Sequence, residues 1–252
     1  MVKARTQLEK SYSFFGSIYP ANWQTRWSKT PYMKSFAQQG DIDKFVKKVG
    51  KFESVPGHVW ACIGLWMHLR KVCPSLDKLV DSQEIYERLW SHDLGETLSG
   101  DISYAVKIQK RLDLGKDLER KGYIKILKPL DRKDRAKFVK WFDEFEGEKS
   151  DLPLEVLIAR WIDNLEGDHF VLTFGKSLSG YSKLIAEIIR KRSVARAGNL
   201  INLLEKMDKR GKKGKFCKKA AGEVKEVMRF HIGLMRKRKI RLDLSELGFK
   251  TG

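Results

Sequence analysis

Apolar residues recur at helical spacing along most of the chain, and strict alternation of apolar and polar positions is scarce. His58 to Val72 reads as a strongly apolar helix that ends before Pro74. Ser82 to His92 reads as a second, with Ser82 as its N-cap and Ile85, Leu89 and Trp90 spaced for one buried face. Asp41 to Val49 follows Gly40 as a further helix, and Gly100-Asp101 opens another towards Arg111. Asp131 to Phe145 is amphipathic, with Phe138, Phe142 and Phe145 on one side. Pro153 suits the first turn of a helix through Ile158, Ile162 and Leu165. Two long patterns follow, Ser182 to about Met207 and Phe216 to about Ile240. The charged, glycine-bearing connector between them predicts an exposed loop joining antiparallel helices. Tyr123 to Leu127 is the best strand candidate. The expected architecture is all-α: an aromatic-rich segment over 1–40 covering the core, a helical core domain over 41–175, and a helical extension over 176–252.

Composition supports a folded core: 42% of the 252 residues are hydrophobic and 11% aromatic, more than a disordered chain carries. Three cysteines without a Cys-x-x-Cys spacing argue against a disulfide scaffold or a thiolate zinc site. The N-terminus lacks a signal-peptide pattern, and the longest apolar run, Val59 to Leu69, is too short to span a bilayer. A cytoplasmic protein with no transmembrane segment is the expectation. The net charge is +19, and it is unevenly placed: residues 176–252 hold 22 Lys and Arg against 7 Asp and Glu. Such a region attracts polyanions, nucleic acid among them, unless it is simply a solvated helical face.

The candidate chemistry centres on one dipeptide, His92-Asp93, where a strong helix gives way to Leu94-Gly95-Glu96. Neighbours in mid-helix diverge by about 100°, whereas at a helix end both side chains can turn to one ion. His58 stands upstream at a helix start, and Asp163 downstream on an otherwise apolar helix face. A buried carboxylate costs several kcal/mol unless a cation accompanies it. Two imidazoles with two carboxylates suit one divalent cation such as Mn, Co, Ni, Fe or Zn, with Mg also in the range. Glu96 lies one helical turn beyond His92, close enough for both to share a face. His68 falls outside this set and is expected in the core beside Trp66 and Met67.

Four blocks stand in order: Glu53-Ser-Val-Pro-Gly-His58, His92-Asp-Leu-Gly-Glu96, Gly100-Asp101-Ile and Asp163-Asn-Leu-Glu166. Together they resemble the signature of HD-domain phosphohydrolases, and more narrowly of their 5′-deoxynucleotidase-like branch. The resemblance implies an all-helical, often dimeric protein in which His58, His92, Asp93 and Asp163 bind one divalent metal. It gives Glu96 and Asp101 to the attacking water, Lys107 to the substrate phosphate and Arg26-Trp27 to the sugar. Pro56-Gly57 departs from the Ala-Glu that often precedes the first histidine, and Arg26-Trp27 lies further upstream of His58 than the pattern leads one to expect. The implied substrate is a nucleotide, most of all a 5′-deoxynucleoside monophosphate. Two alternatives stay open: a nucleoside triphosphate phosphohydrolase, and a nucleic-acid-binding protein of this fold that uses the basic C-terminal region.

Overall fold

The computed structural model describes residues 53–99, 114–147, 152–174, 178–209, 214–240 and 242. Most of those residues are helical, with no extended strand among them, and the fold is all-α. The helices expected over 41–49 and from Gly100 to Arg111 lie outside the described residues. Contacts divide the chain into two compact units. The first takes its described part from 53–60 and 90–147, the second from 61–89 and 152–242. The chain passes between them at 60/61 and 89/90, inside two helices, and again at 150/151.

Helix α1 spans Val55–Val72. It begins three residues before the expected start because Ser54 caps it: the Ser54 hydroxyl accepts the Gly57 amide at 3.1 Å, and its carbonyl accepts the His58 amide at 3.0 Å. Pro56 sits in the first turn, where its missing N–H costs nothing. Val55, His58, Cys62, Trp66 and Leu69 form its buried face. Met67 and His68 fall on the other side and are exposed, which corrects the core placement of His68; apolar neighbours in sequence do not bury a residue that the helical period turns outward.

Short helix α2, Pro74–Asp77, carries Pro74 in its first turn. Helix α3 spans Ser82–Ser91 and is capped by Asp81 rather than Ser82. The Asp81 carboxylate accepts the Gln83 amide at 2.9 Å, and its carbonyl accepts the Ile85 amide at 3.2 Å. A turn over 92–95 leads into α4, Glu96–Ser99.

Within the first unit, α5 spans Leu114–Ile126 and α6 spans Arg132–Glu146. The strand reading of Tyr123 to Leu127 is therefore overturned. Tyr123, Ile126 and Leu127 bury one helical face with Phe142 and Leu94, and so short a stretch, broken by Lys125, does not distinguish the two periods. Asp131 caps α6 by accepting the Asp134 amide at 2.9 Å. Arg120 on α5 makes a bidentate pair with Asp143 on α6, at 2.6 and 2.9 Å.

Within the second unit, α7 spans Leu154–Phe174 and is buried nearly all round. Helix α8, Ser182–Ile189, continues through a π-helical turn at Arg190–Val194 into α9, Ala195–Lys209. Helix α10, Gly214–Lys237, packs on α9 and α2. The Trp161 indole N–H points at the Met228 sulfur, 3.2 Å away, joining α7 to α10. The Glu223 carboxylate on α10 accepts the amides of Ser75 and Leu76, both 3.0 Å at best, and so caps α2.

Helix α10 ends in a Schellman motif. The Ile240 amide donates to the Met235 carbonyl at 3.0 Å and the Lys239 amide to the Arg236 carbonyl at 2.9 Å, while Met235 and Ile240 are both buried. Lys239 has φ 62°, the left-handed position that such motifs normally give to glycine. A side chain there costs about 1 kcal/mol.

Candidate metal centre

His92 and Asp93 directly follow the last residue of α3, in the turn that leads to α4. Leaving the helix frees the two side chains from their helical divergence. His92 Nε2 lies 3.2 Å from Asp93 Oδ1, and His58 Nε2 on α1 lies 3.8 Å from Asp93 Oδ2. One donor atom each from His58, His92 and Asp93 falls within 4.8 Å of the others. Donors around a single ion at about 2.1 Å lie roughly 3–4.2 Å apart, and the separations of 3.2 and 3.8 Å from Asp93 to the two imidazoles fall in that range.

What holds the imidazoles is equally specific. His58 is fully buried, and its second nitrogen, Nδ1, faces the Glu53 carboxylate at 3.6 Å. A carboxylate behind a histidine fixes which nitrogen points forward and raises the basicity of that nitrogen. The His92 ring packs against Phe145 of α6, ring centroids 4.9 Å apart, and edge-on to His58 at 5.5 Å. Glu53 stands in the first sequence block and went unassigned; its place five residues before His58 is a usable signal only once Ser54 is seen to start a helix between them. Phe145 reads as ordinary core.

Asp93 also belongs to a group of carboxylates. Asp93, Glu96 and Glu119 bring one oxygen each within 4.8 Å of one another, and all three residues are buried. Ionised carboxylates this close repel one another, and a divalent cation beside Asp93 would relieve that repulsion, so the donor set suits a metal in charge. Glu96 is positioned by the turn itself, its amide donating to the Asp93 carbonyl at 3.0 Å. Glu119 arrives on α5 through a close backbone approach. A Cβ on Gly95 would stand 2.5 Å from the Glu119 carbonyl oxygen, and one on Gly122 would stand 2.8 Å from the Gly95 carbonyl oxygen. Both positions must be glycine for α4 and α5 to come this near. Nothing in the spacing of the sequence singles out Glu119.

Asp163 belongs to the second unit, in the middle of α7. Its Oδ2 accepts from Arg196 Nη1 at 3.2 Å and faces Arg192 Nη2 at 3.5 Å. The same Arg196 group donates to the Arg160 carbonyl at 2.9 Å. Within its unit, then, guanidinium groups from the π-helical turn and α9 supply positive charge to this buried carboxylate. The sequence offers no hint of that pairing between residues so far apart along the chain. Arg26, Trp27, Asp101 and Lys107 lie outside the described residues.

Residues 44–168 match the family described as HD domain. The chain belongs to the HD-domain superfamily through this segment, which contains all four expected ligands. No curated protein and no solved structure matches the chain significantly. An HD domain points to divalent-metal binding and metal-dependent phosphohydrolase activity, and the His58–His92–Asp93 grouping is of the kind that could hold the ion. Among the described residues, no helix is long and apolar enough to cross a membrane.

Proposed function

We propose that this protein removes phosphate from nucleotides, with 5′-deoxynucleoside monophosphates as its main substrates and one divalent metal held by His58, His92 and Asp93; the family resemblance adds Asp163 as a ligand. The observation that carries the reading is the convergence of His58, His92 and Asp93, backed by Glu53 and flanked by Glu96. When bound, the metal supplies a water of lowered pKa and polarises a phosphoryl oxygen. The chain's own groups do the rest. Glu53 holds His58 in one orientation, and Phe145 does the same for His92 by packing on its ring. Glu96, buried one turn beyond His92, takes the proton of the attacking water on its carboxylate. Asp101 orients that water, Lys107 neutralises charge on the phosphate, and Arg26 with Trp27 contacts the sugar; these roles rest on the family resemblance alone. The buried setting excludes bulk water and so strengthens each of these interactions.

The test is a phosphate-release screen on protein stripped of metal and resupplied with Mn, Co, Mg, Ni, Fe or Zn. Deoxynucleoside monophosphates should release orthophosphate, and His92→Ala or Asp93→Ala should abolish turnover while leaving the helical signal intact. Release of tripolyphosphate or pyrophosphate from deoxynucleoside triphosphates, with monophosphates untouched, overturns the substrate assignment. Full activity in Asp93→Ala overturns the site.

A further inference from the structure

We propose that the solvent face of α10, together with the turn that ends it, binds the phosphate backbone of a nucleic-acid duplex. The face is built by helical period. Lys218, Lys225, Arg229 and Arg236 recur at spacings of 7, 4 and 7, which places them in one row. That row runs about 27 Å along the helix, the length of some eight base pairs. Val224, Met228, Ile232 and Met235, buried in the core of the unit, lie about 40–120° round the helix from this row, so the row flanks the packed face and is held in place by it; Lys218, Arg229 and Arg236 are exposed and Lys225 is half-buried. The exposed run Arg236-Lys-Arg-Lys239 extends the row at its end.

Acidic residues near this face do little to cancel it. Glu223 is turned inward onto the Ser75 and Leu76 amides. Glu226 pairs with Arg229 on exposed side chains, where solvent screens the pairing, and Glu205 of α9 pairs at 3.1 Å with the half-buried Lys225.

One feature keeps positive charge at a local cost in stability. Lys239 occupies the left-handed position where glycine is the comfortable residue. The helix dipole favours cations at the C-terminal end of α10, which suits Arg236 and Lys237, but it does not account for a lysine in that conformation. A charged side chain standing where local stability favours glycine is the kind of outlier from which a functional role is inferred.

A duplex fits better than an anionic membrane. A helix that lies on lipid presents its apolar face to the acyl region. The apolar face of α10 is consumed in the core, and its solvent side offers lipid mainly one well-exposed aromatic, Phe230, at 71% exposure.

The test uses the full chain, a fluorescein-labelled 20-base-pair DNA duplex and anisotropy measured from 50 to 200 mM salt. About five neutralised phosphates predict a slope near −4.5 in log affinity against log salt, a loss of roughly 10²–10³-fold over that range. Lys218→Gln with Arg229→Gln should make the slope shallower by about two. Lys239→Gly should make it shallower by about one while raising Tm by about 2–4 °C, because it relieves the left-handed lysine. That opposed pair of effects separates a binding role from a structural one. The proposal is overturned by no duplex binding at 50 mM salt, or by an unchanged slope in both variants. It is equally overturned if Lys239→Gly lowers Tm and affinity together, or if vesicles of phosphatidylcholine with 30% phosphatidylserine bind the protein and the duplex does not.

Discussion

Removing Glu53 isolates what a carboxylate behind a ligand contributes. Its Oε1 lies 3.6 Å from His58 Nδ1, and both residues are buried, so little water is at hand to replace it. Outer-sphere partners of metal-bound histidines are worth about 10–100-fold in metal affinity, which is about 1.4–2.8 kcal/mol. Glu53→Ala should therefore weaken binding of Mn or Co by about 10–100-fold. Glu53→Gln, which keeps an oxygen and the volume but loses the charge, should fall at the lower end of that range. Calorimetric titration of metal-free protein reads the affinity, and circular dichroism confirms that the variants are folded. A folded Glu53→Ala that binds metal within about twofold of wild type would refute the claim that Glu53 prepares His58 for an ion.

Gly95→Ala should destabilise the chain by about 1–3 kcal/mol, since its methyl would meet the Glu119 carbonyl oxygen at 2.5 Å; a thermal melt unchanged from wild type would show that α5 gives way freely. Burial, with Glu223 nearby, pushes the Cys73 thiol from 9.0 up to about 12. Its neutral form therefore stabilises the fold below pH 9, and that contribution fades as pH rises towards 12. At pH 8.5 iodoacetamide should accordingly label Cys73 only as fast as the chain unfolds, which time-resolved peptide mass spectrometry would reveal; labelling at the rate of a free thiol would contradict the burial. Glu223→Ala removes the acceptor of two α2 amides and should cost about 1–2 kcal/mol in urea unfolding, with no cost expected if water replaces it.

Much of this was legible in the sequence because long helices announce themselves twice, by period and by caps. The apolar spacing in α6 and α7 and the Asp131 cap come straight from the order of residues. His92-Asp93 was legible as a helix-end pair because Gly95 follows it. Short-range chemistry was less secure. Ser82 and Asp81 are both capping residues, and only the geometry of the first turn chooses Asp81. Tyr123 to Leu127 is too brief to reveal its period. Least visible were the partners that folding brings from afar: Glu119 beside Glu96, Glu223 on α2, and Arg192 with Arg196 on Asp163. No local pattern encodes a contact between side chains that far apart along the chain. The compact units interleave four stretches of chain, a division that no local pattern announces.

The central claim is that His58, His92 and Asp93 share one ion, and counting bound cobalt tests it most directly. Metal-free wild type titrated with Co(II) should saturate at one tightly held ion per chain, with the visible absorption of a mixed nitrogen and oxygen site. His92→Ala and Asp93→Ala should lose both the spectrum and the tight stoichiometry while keeping their helical content. An Asp93→Ala protein that still takes up one cobalt ion with undiminished affinity would contradict the account.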